Sequence, residues 1–396
     1  LATLAGIGHA TMEQTSATGT RQITKGDRLE AHFASEQSGE HGGMRSNAAA
    51  KSGNSLESAA VDGHVIILQI PVAKPGSTAS TISATADHAT YEGAGQWLHL
   101  IGSPRVENGD LQLAADRIDI SQATEDAFAH GNVKATWRGG ATSQNKASAV
   151  AGSSPADAVF GGQGPAHAIA TEAELRQKDG QATLRGDARL WQQSDSISAP
   201  VIVVNRKLQT LTAHAASAAD PVRVVLLTTG AMNTNKSAQT SSSPTVIRIR
   251  GGELKYSAAQ RKAWMYGGIL GNIEADTDDA TTRAHEAELD LLPPDNHAGK
   301  NGAETHVDRM TARGNVVVSS RGRQGIGDQL VYFGETGRFV LTGTPAIQPR
   351  LSDPERGSVT GQTLIFNSGD DSVSIEGGTR KTVTETVTPQ RKQKHD

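Results

Sequence analysis

The side chains in this chain that could do chemistry are few, and each lacks a partner its chemistry needs. His285-Glu286-Ala287-Glu288-Leu289 opens like the zinc helix of a metalloprotease. That site requires two histidines one helical turn apart with the glutamate acting as base. Leu289 stands where the second ligand would be, so the segment predicts no metal. Asp276-Thr277-Asp278-Asp279 has the acids of a calcium loop but neither its glycine nor its closing glutamate, and reads as a solvated acidic turn. Gly161-Gly162-Gln163-Gly164 lacks the flanking strand and helix of a phosphate loop. The 13 histidines are scattered without metal spacing. No Gly-x-Ser-x-Gly elbow occurs, and no serine, histidine and acid stand at a recognisable spacing. Asp370-Asp371 reads as turn chemistry, where aspartate is common for backbone reasons. The expectation is a protein with no catalytic residue, no metal and no cofactor.

Composition points the same way. Of 396 residues only 36% are hydrophobic and 4% aromatic, while glycine occurs 43 times, which is thin material for one deep core. It suits an extended architecture whose layers each bury a modest stripe. A formal net charge of −4 gives no basis for a nucleic-acid partner, and the short basic run Arg391-Lys392-Gln393-Lys394 reads as solvated. The absence of cysteine excludes thiolate metal sites, disulfides and cysteine nucleophiles. Leu1 to Gly8 is too short to be a transmembrane helix. The expectation is a chain whose signal peptide or N-terminal membrane anchor has been removed.

The elements that organise the chain are strands. Period-two alternation dominates, as in Leu98/Leu100, Leu111/Leu113 and Val222/Val224/Leu226. The best helical candidate, Ala280 to Leu292, contains Thr281-Thr282 and alternates at Leu289 and Leu291. Two half-motifs repeat. One is Asp-x-apolar-x-apolar, beginning at Asp27, Asp87, Asp116 and Asp328, with weaker copies at Gly252 to Tyr256 and Gln362 to Phe366. The other is apolar-x-apolar-x-Gly-x-apolar, centred on Gly63, Gly102, Gly131, Gly186, Gly267, Gly314, Gly343 and Gly377. Gly102 to Gly131, Gly314 to Gly343 and Asp87 to Asp116 are each 29 residues apart. A two-strand unit of that length cannot bury its own apolar face, so such units must stack edge to edge.

The motifs also dictate a bend. Between Ala115 and Ile118 the apolar phase shifts by one residue, so the strand must bulge or turn at Asp116-Arg117. An aspartate there can bond nearby backbone N–H groups, and a glycine within a strand marks a kink or a close backbone approach. A folded-over sheet follows. Polar, small-residue insertions interrupt it at Ser35 to Ser55, Gly139 to Gly164, Thr228 to Pro244 and Pro293 to Glu304. They divide the chain into a flexible segment 1–20, a first stack 21–227, a linker 228–244, a second stack 245–388 and a charged tail 389–396.

Alternating units such as Ala115-Asp116-Arg117-Ile118-Asp119-Ile120 and Ala129-His130-Gly131-Asn132-Val133 resemble the OstA-like family of periplasmic lipopolysaccharide-transport proteins, LptA, LptC and the periplasmic domain of LptD. The resemblance is clearest over Ser83 to Lys134 and Asp308 to Gly378, and the chain departs from the family in its length and long insertions. The resemblance implies an all-β fold, an open β-jellyroll or β-taco of stacked two-strand repeats. It implies a non-enzymatic periplasmic carrier or bridge that holds lipid A acyl chains between two sheets on the way to the outer membrane. The groove would be lined by Leu98, Leu100, Ile118, Ile120, Val133, Val316, Val318, Leu330, Tyr332, Phe339, Leu341, Leu364, Phe366, Val373 and Ile375. From alternation alone the same residues would simply fill a closed core.

The resemblance further implies related jellyroll modules as partners through edge-strand pairing, with head-to-tail self-association as one form. The closing copy, Ser372 to Gly377, alternates Val373 and Ile375 without proline, and a Thr/Val segment before Pro389 could extend the sheet. The alternative is a structural β-repeat, a scaffold or surface adhesin with no lipid ligand. A β-helix polysaccharide enzyme would need clustered acids on one outward stripe, and the sequence shows none.

Overall fold

The structure is a computed structural model. It describes residues 3–15, 19–34, 56–72, 81–93, 96–138, 165–228, 245–277, 280–291, 307–320, 322–333, 336, 338–344, 346–355, 357–367, 373–376 and 383–385. Insertions 35–55, 139–164, 229–244 and 293–304, Gly377 and the tail 389–396 lie outside the described residues. Among the described residues every regular element is a strand, apart from one 3-10 turn at Gly268–Leu270. It forms two compact units, one of Leu1–Arg138 with Ala168–Leu184 and one of Gly139–His167 with Arg185–Asp396.

The first unit contains β1 (Thr3–Thr15), β2 (Arg21–Phe33), β3 (Leu56–Ile70), β4 (Ile82–Glu92), β5 (Trp97–Ile101), β6 (Arg105–Asn108), β7 (Leu111–Ala114), β8 (Arg117–Ser121), β9 (Ala127–Trp137) and most of β10 (Ala166–Arg176). The boundary falls inside β11 (Gln181–Gln192). The second unit holds β12 (Asp195–Asn205), β13 (Thr210–His214), β14 (Val222–Thr228), β15 (Thr245–Gly251), β16 (Glu253–Ser257), β17 (Lys262–Tyr266), β18 (Ile273–Asp276), β19 (Ala280–Ala284) and β20 (Glu286–Leu291). It continues through β21 (Val307–Ser320), β22 (Arg323–Phe333), β23 (Arg338–Thr342), β24 (Arg350–Asp353), β25 (Gly357–Thr360), β26 (Thr363–Asn367), β27 (Val373–Glu376) and β28 (Val383–Glu385).

Long strands carry a bend, and short strands come in pairs that split at it. In the first unit β4 pairs with β5 over His88–Glu92 and with β6 over Ile82–Thr85. β5 then pairs with β8, β6 with β7, and both β7 and β8 rejoin on β9. The sheet therefore folds along a line of corners into two half-sheets, with each of these pairings antiparallel. The open β-jellyroll expected from the repeats is the fold of both units.

The two half-motifs are the two sides of each corner. Gly63, Gly102, Gly131, Gly186 and Gly314 have φ between +72° and +83°, and the residue after each also has positive φ. Two successive left-handed residues turn the strand, and the first must be glycine because its neighbour leaves no room for a side chain. A Cβ on Gly131 would lie 2.2 Å from Asp116 Oδ2, and one on Gly63 2.3 Å from Asp27 Oδ2. The Asp116 N–H donates to the Gly131 carbonyl at 2.9 Å, and Asn132 Nδ2 donates to Asp116 Oδ2 at 2.8 Å. Aspartate and glycine recur at one period because they meet across neighbouring strands. His285 occupies the aspartate's place opposite Gly314, whose Cβ would lie 2.6 Å from its Nδ1. The segment with the metalloprotease-like opening is thus a corner followed by strand β20.

Three expectations need correction. Residues 1–20, expected to be flexible, contain β1, paired with β2 from Thr3 opposite His32 to Thr15 opposite Arg21. Gly8 and His9 repeat the left-handed corner, with φ of 79° and 56°, but Leu4 and Ile7 are exposed, so the apolar alternation that marks other copies is missing. The segment 228–244 is no boundary between stacks. Its flanks, β14 and β15, pair from Val222 opposite Gly251 to Thr228 opposite Thr245, within one unit. Small polar composition marks a hairpin insertion as readily as a linker. Gly267 and Gly343 are also not corners of the Gly131 kind. Gly267 has φ −60° and leads into the 3-10 turn, while a Cβ on Gly343 would meet the Ile347 carbonyl oxygen at 2.1 Å.

Candidate functional site

Pairing in register carries inward positions from strand to strand as continuous rows. In the second unit one row runs Leu254, Met265, Ala287, Ala312, Leu330, Leu341, Leu364, Ile375 across β16, β17, β20, β21, β22, β23, β26 and β27. The next, one step further from the corners, runs Tyr256, Ala263, Leu289, Met310, Tyr332, Phe339, Phe366, Val373. The inner row is buried as far as Leu364. Several members of the outer row, among them Ala263, Met310, Phe339 and Phe366, are only half-buried.

Between the half-sheets of this unit lies an apolar cleft of about 50 Å³. Ile197, Val224, Leu226 and Ile249 line it from β12, β14 and β15. Leu254, Tyr256, Ala263, Met265, Leu289 and Leu291 line it from β16, β17 and β20. The first three strands pair with one another in one half-sheet and the last three in the other. The cleft is therefore the interior of the fold itself. It can take hydrocarbon, since burying apolar surface gains about 25 cal/mol per Å² without directional contacts. The only ionisable lining side chain is Tyr256, whose hydroxyl burial pushes up to about 12, so it stays protonated.

Charge sits on the opposite faces of the same strands. Lys262 Nζ donates to Glu288 Oε1 at 2.5 Å and lies 3.0 Å from Asp290 Oδ1. These bonds raise the Lys262 pKa, and the bond from Lys262 lowers that of Glu288. On the first unit the outward pairs include histidine with aspartate: His88 with Asp62 and His99 with Asp119, each at 2.5 Å, and His64 with Asp27 at 2.8 Å. Inward hydrocarbon and outward ion pairs alternate along each strand, as a one-sided sheet requires.

Residues 83–210 match the family model described as LptA/(LptD N-terminal domain) LPS transport protein. This stretch is an OstA-like segment. Among solved structures, the chain is similar to LptH, the LptA-homologous periplasmic component of the lipopolysaccharide transport device of Pseudomonas aeruginosa. The likeness has 14% identity, covers 36% of this chain and 92% of that one, and has a TM-score of 0.24. No curated protein matches the chain.

Five of the expected lining residues lie within the OstA-like segment on paired strands, Leu98 opposite Ile120, Leu100 opposite Ile118, and Val133 on β9. Leu98, Leu100, Ile118 and Val133 are buried and Ile120 is half-buried. Leu330, Tyr332, Phe339, Leu341, Leu364, Phe366, Val373 and Ile375 all fall in the two rows of the second unit. Val316 is buried beside the Gly314 corner, and Val318 belongs to the other half-sheet, opposite Thr282 and Gly325. Ile375, on the terminal strand, is 37% exposed. None of the fifteen lines the described cleft, which ten other residues line. The signal for those ten was present and weak: alternation at Val224/Leu226 and Leu289/Leu291, and the acid-less copy Gly252 to Tyr256.

Proposed function

We propose that the chain is a non-enzymatic, periplasmic carrier in lipopolysaccharide transport, holding lipid A acyl chains between its half-sheets. The observation that carries this reading is the apolar cleft lined from both half-sheets and continued by two apolar rows to the terminal strand. The family match over 83–210 supplies the substrate class. Among the described residues no helix is long and apolar enough to cross a membrane.

Photo-crosslinking tests the reading. A crosslinker at Leu226 or Leu289, on opposite walls, should capture lipopolysaccharide, while one at the outward Lys255 should not. Equal capture at Lys255 would show that lipid lies outside the cleft. Ile120→Asp, Leu330→Asp and Phe366→Asp should each weaken lipid retention, because an unpaired charge in an apolar slot is costly.

The partner reading rests on the terminal edges. Among the described residues β27 pairs only with β26 and β28 only with β25, so within these residues each strand has one side without a partner strand. Such edges accept a further strand. A head-to-tail contact of this kind need not close and can yield chains of variable length. Deleting Val383 to Val387 together with Val373→Pro should abolish concentration-dependent self-association or pairing with a related module. A wild-type protein that stays monomeric at high concentration and binds no such module would refute bridging.

A further inference from the structure

One half-sheet of the first unit has an outer face that is both basic and apolar. An outward row runs from Lys25 on β2 through Ile66 on β3 and Arg105 on β6 to Lys134 on β9. Five strand steps of about 4.8 Å separate its ends, so the three cations span roughly 24 Å. All three are exposed, and among the described residues no carboxylate pairs with any of them. The acids in the next outward row are engaged: Glu13 accepts from Arg21, and Glu107 from Gln112. The other half-sheet of this unit has the opposite balance, with Glu30, Asp62, Glu92 and Asp119 outward against Arg28 and Arg117. In a chain of net charge −4 the basic face is a local concentration. β3 supplies the apolar part. A strand covered on one side alternates, yet Val65-Ile66-Ile67-Leu68 is apolar at every position. Val65 and Ile67 are buried inside, whereas Ile66 and Ile70 point outward at 39% and 36% exposure, with Leu68 half-buried between them.

We propose that this face docks on an anionic phospholipid bilayer, with Ile66, Leu68 and Ile70 set into the headgroup layer and Lys25, Arg105 and Lys134 against lipid phosphates. At such a surface each basic residue gains from the negative potential and each aliphatic one from leaving water. An acidic protein would complement the cations, but a bilayer complements cations and aliphatics together along the whole row. The acidic outer face of the other half-sheet is repelled by the same surface, so the unit lies on it in one orientation. The docking face belongs to the first unit and lies outside its half-sheets, so its test is independent of the acyl-chain reading.

The test is sedimentation of the full chain with phosphatidylglycerol vesicles and with phosphatidylcholine vesicles. Wild-type protein should bind the first and not the second. Raising salt from about 0.1 M to about 1 M should release most of it, because the screening length falls from about 10 Å to about 3 Å. Lys25→Gln/Arg105→Gln/Lys134→Gln should lower binding about a hundredfold, about fivefold for each basic residue at such a surface. Arg28→Gln/Arg117→Gln/Lys255→Gln removes the same charge from other outward faces and should change binding by less than about twofold. Ile66→Thr/Ile70→Thr keeps both β-branched side chains and should lower binding about fivefold. If wild-type protein sediments with neither vesicle, or if the two triple variants behave alike, the docking face is refuted. Binding that Ile66→Thr/Ile70→Thr leaves unchanged would be a contact of charge alone, as with an acidic protein, and would overturn bilayer docking. A Lys25/Arg105/Lys134 variant that keeps vesicle binding yet loses lipopolysaccharide would assign the row to the cargo and overturn it equally.

Discussion

The two units share one backbone plan and differ in what they hang on it. In the first unit the outer row of the corner-to-rim half-sheet reads Ala31, Ala59, Tyr91, Leu98, Ile120, Ala127. The corresponding row of the second unit begins Tyr256, Ala263, Leu289, Met310, Tyr332, Phe339. Three alanines in six positions face one in six, although in either row three of the six are buried and three half-buried. Ala31 is fully buried, although so short a side chain can be covered only if its surroundings close tightly over it. Ala263 is half-buried and borders the cleft, in a row where Tyr256 and Leu289 flank it with longer side chains. Corners determine where the sheet folds, and the side chains between them determine how much room is left beside each position.

The largest effect expected is on the shared plan. Gly131→Val and Gly314→Val would each place a side chain at φ of 72° or 80° against Asp116 or His285. Left-handed strain and the clash together should cost about 3 kcal/mol in either unit, read as a fall in melting temperature. Tolerance in one unit only would show that the corners are not equivalent. A smaller effect separates the units. Ala31→Leu adds volume where there is none and should cost about 1–3 kcal/mol. Ala263→Leu points into the cleft, so stability should change by no more than about 0.5 kcal/mol while lipid retention drops. Equal destabilisation by the two would mean that the cleft is ordinary core.

Much of the plan was legible in the sequence, for a physical reason. Asp116 and Gly131 are visible as motifs because the corner admits few other residue types: the glycine must have no side chain and the aspartate must accept a hydrogen bond. The cleft was legible only as alternation. Leu226 and Leu289 would read identically in a closed core, since openness depends on the distance between half-sheets and not on the hydropathy of either. The strongest motif copies therefore drew attention to Leu100, Ile118 and Leu341, all fully buried, and away from the weaker copy that holds Tyr256. His285 gave no signal of the corner it forms. It substitutes for an aspartate at a corner, and only its position opposite Gly314 reveals the role.

The outward ion pairs give the finest discrimination between the units. His64 donates to Asp27 at 2.8 Å across a corner, and that bond raises its pKa above the ordinary 6.5. A histidine raised on folding contributes stability that is fully present below its unfolded pKa and lost as pH rises through the folded value. The second unit's Lys262–Glu288 pair runs on other windows. Glu288 is lowered on folding, so its contribution is present above the ordinary carboxylate range and lost as pH falls through its folded pKa. Lys262 is raised, so its contribution is lost only as pH climbs through its folded value, above 10.5. Between about pH 5.5 and about 8.5 the His64 pair should weaken while the Lys262 pair does not change. The effect will be small, because His64 is almost fully exposed. His64→Asn isolates it: Asn132 already makes the same bond to Asp116 without a titrating group. Wild type should lose melting temperature between the two pH values by more than His64→Asn does, and Lys262→Gln should leave that difference as it is in wild type. An identical pH response in wild type and His64→Asn would show that the charge on His64 contributes nothing, and that the corner needs only a donor.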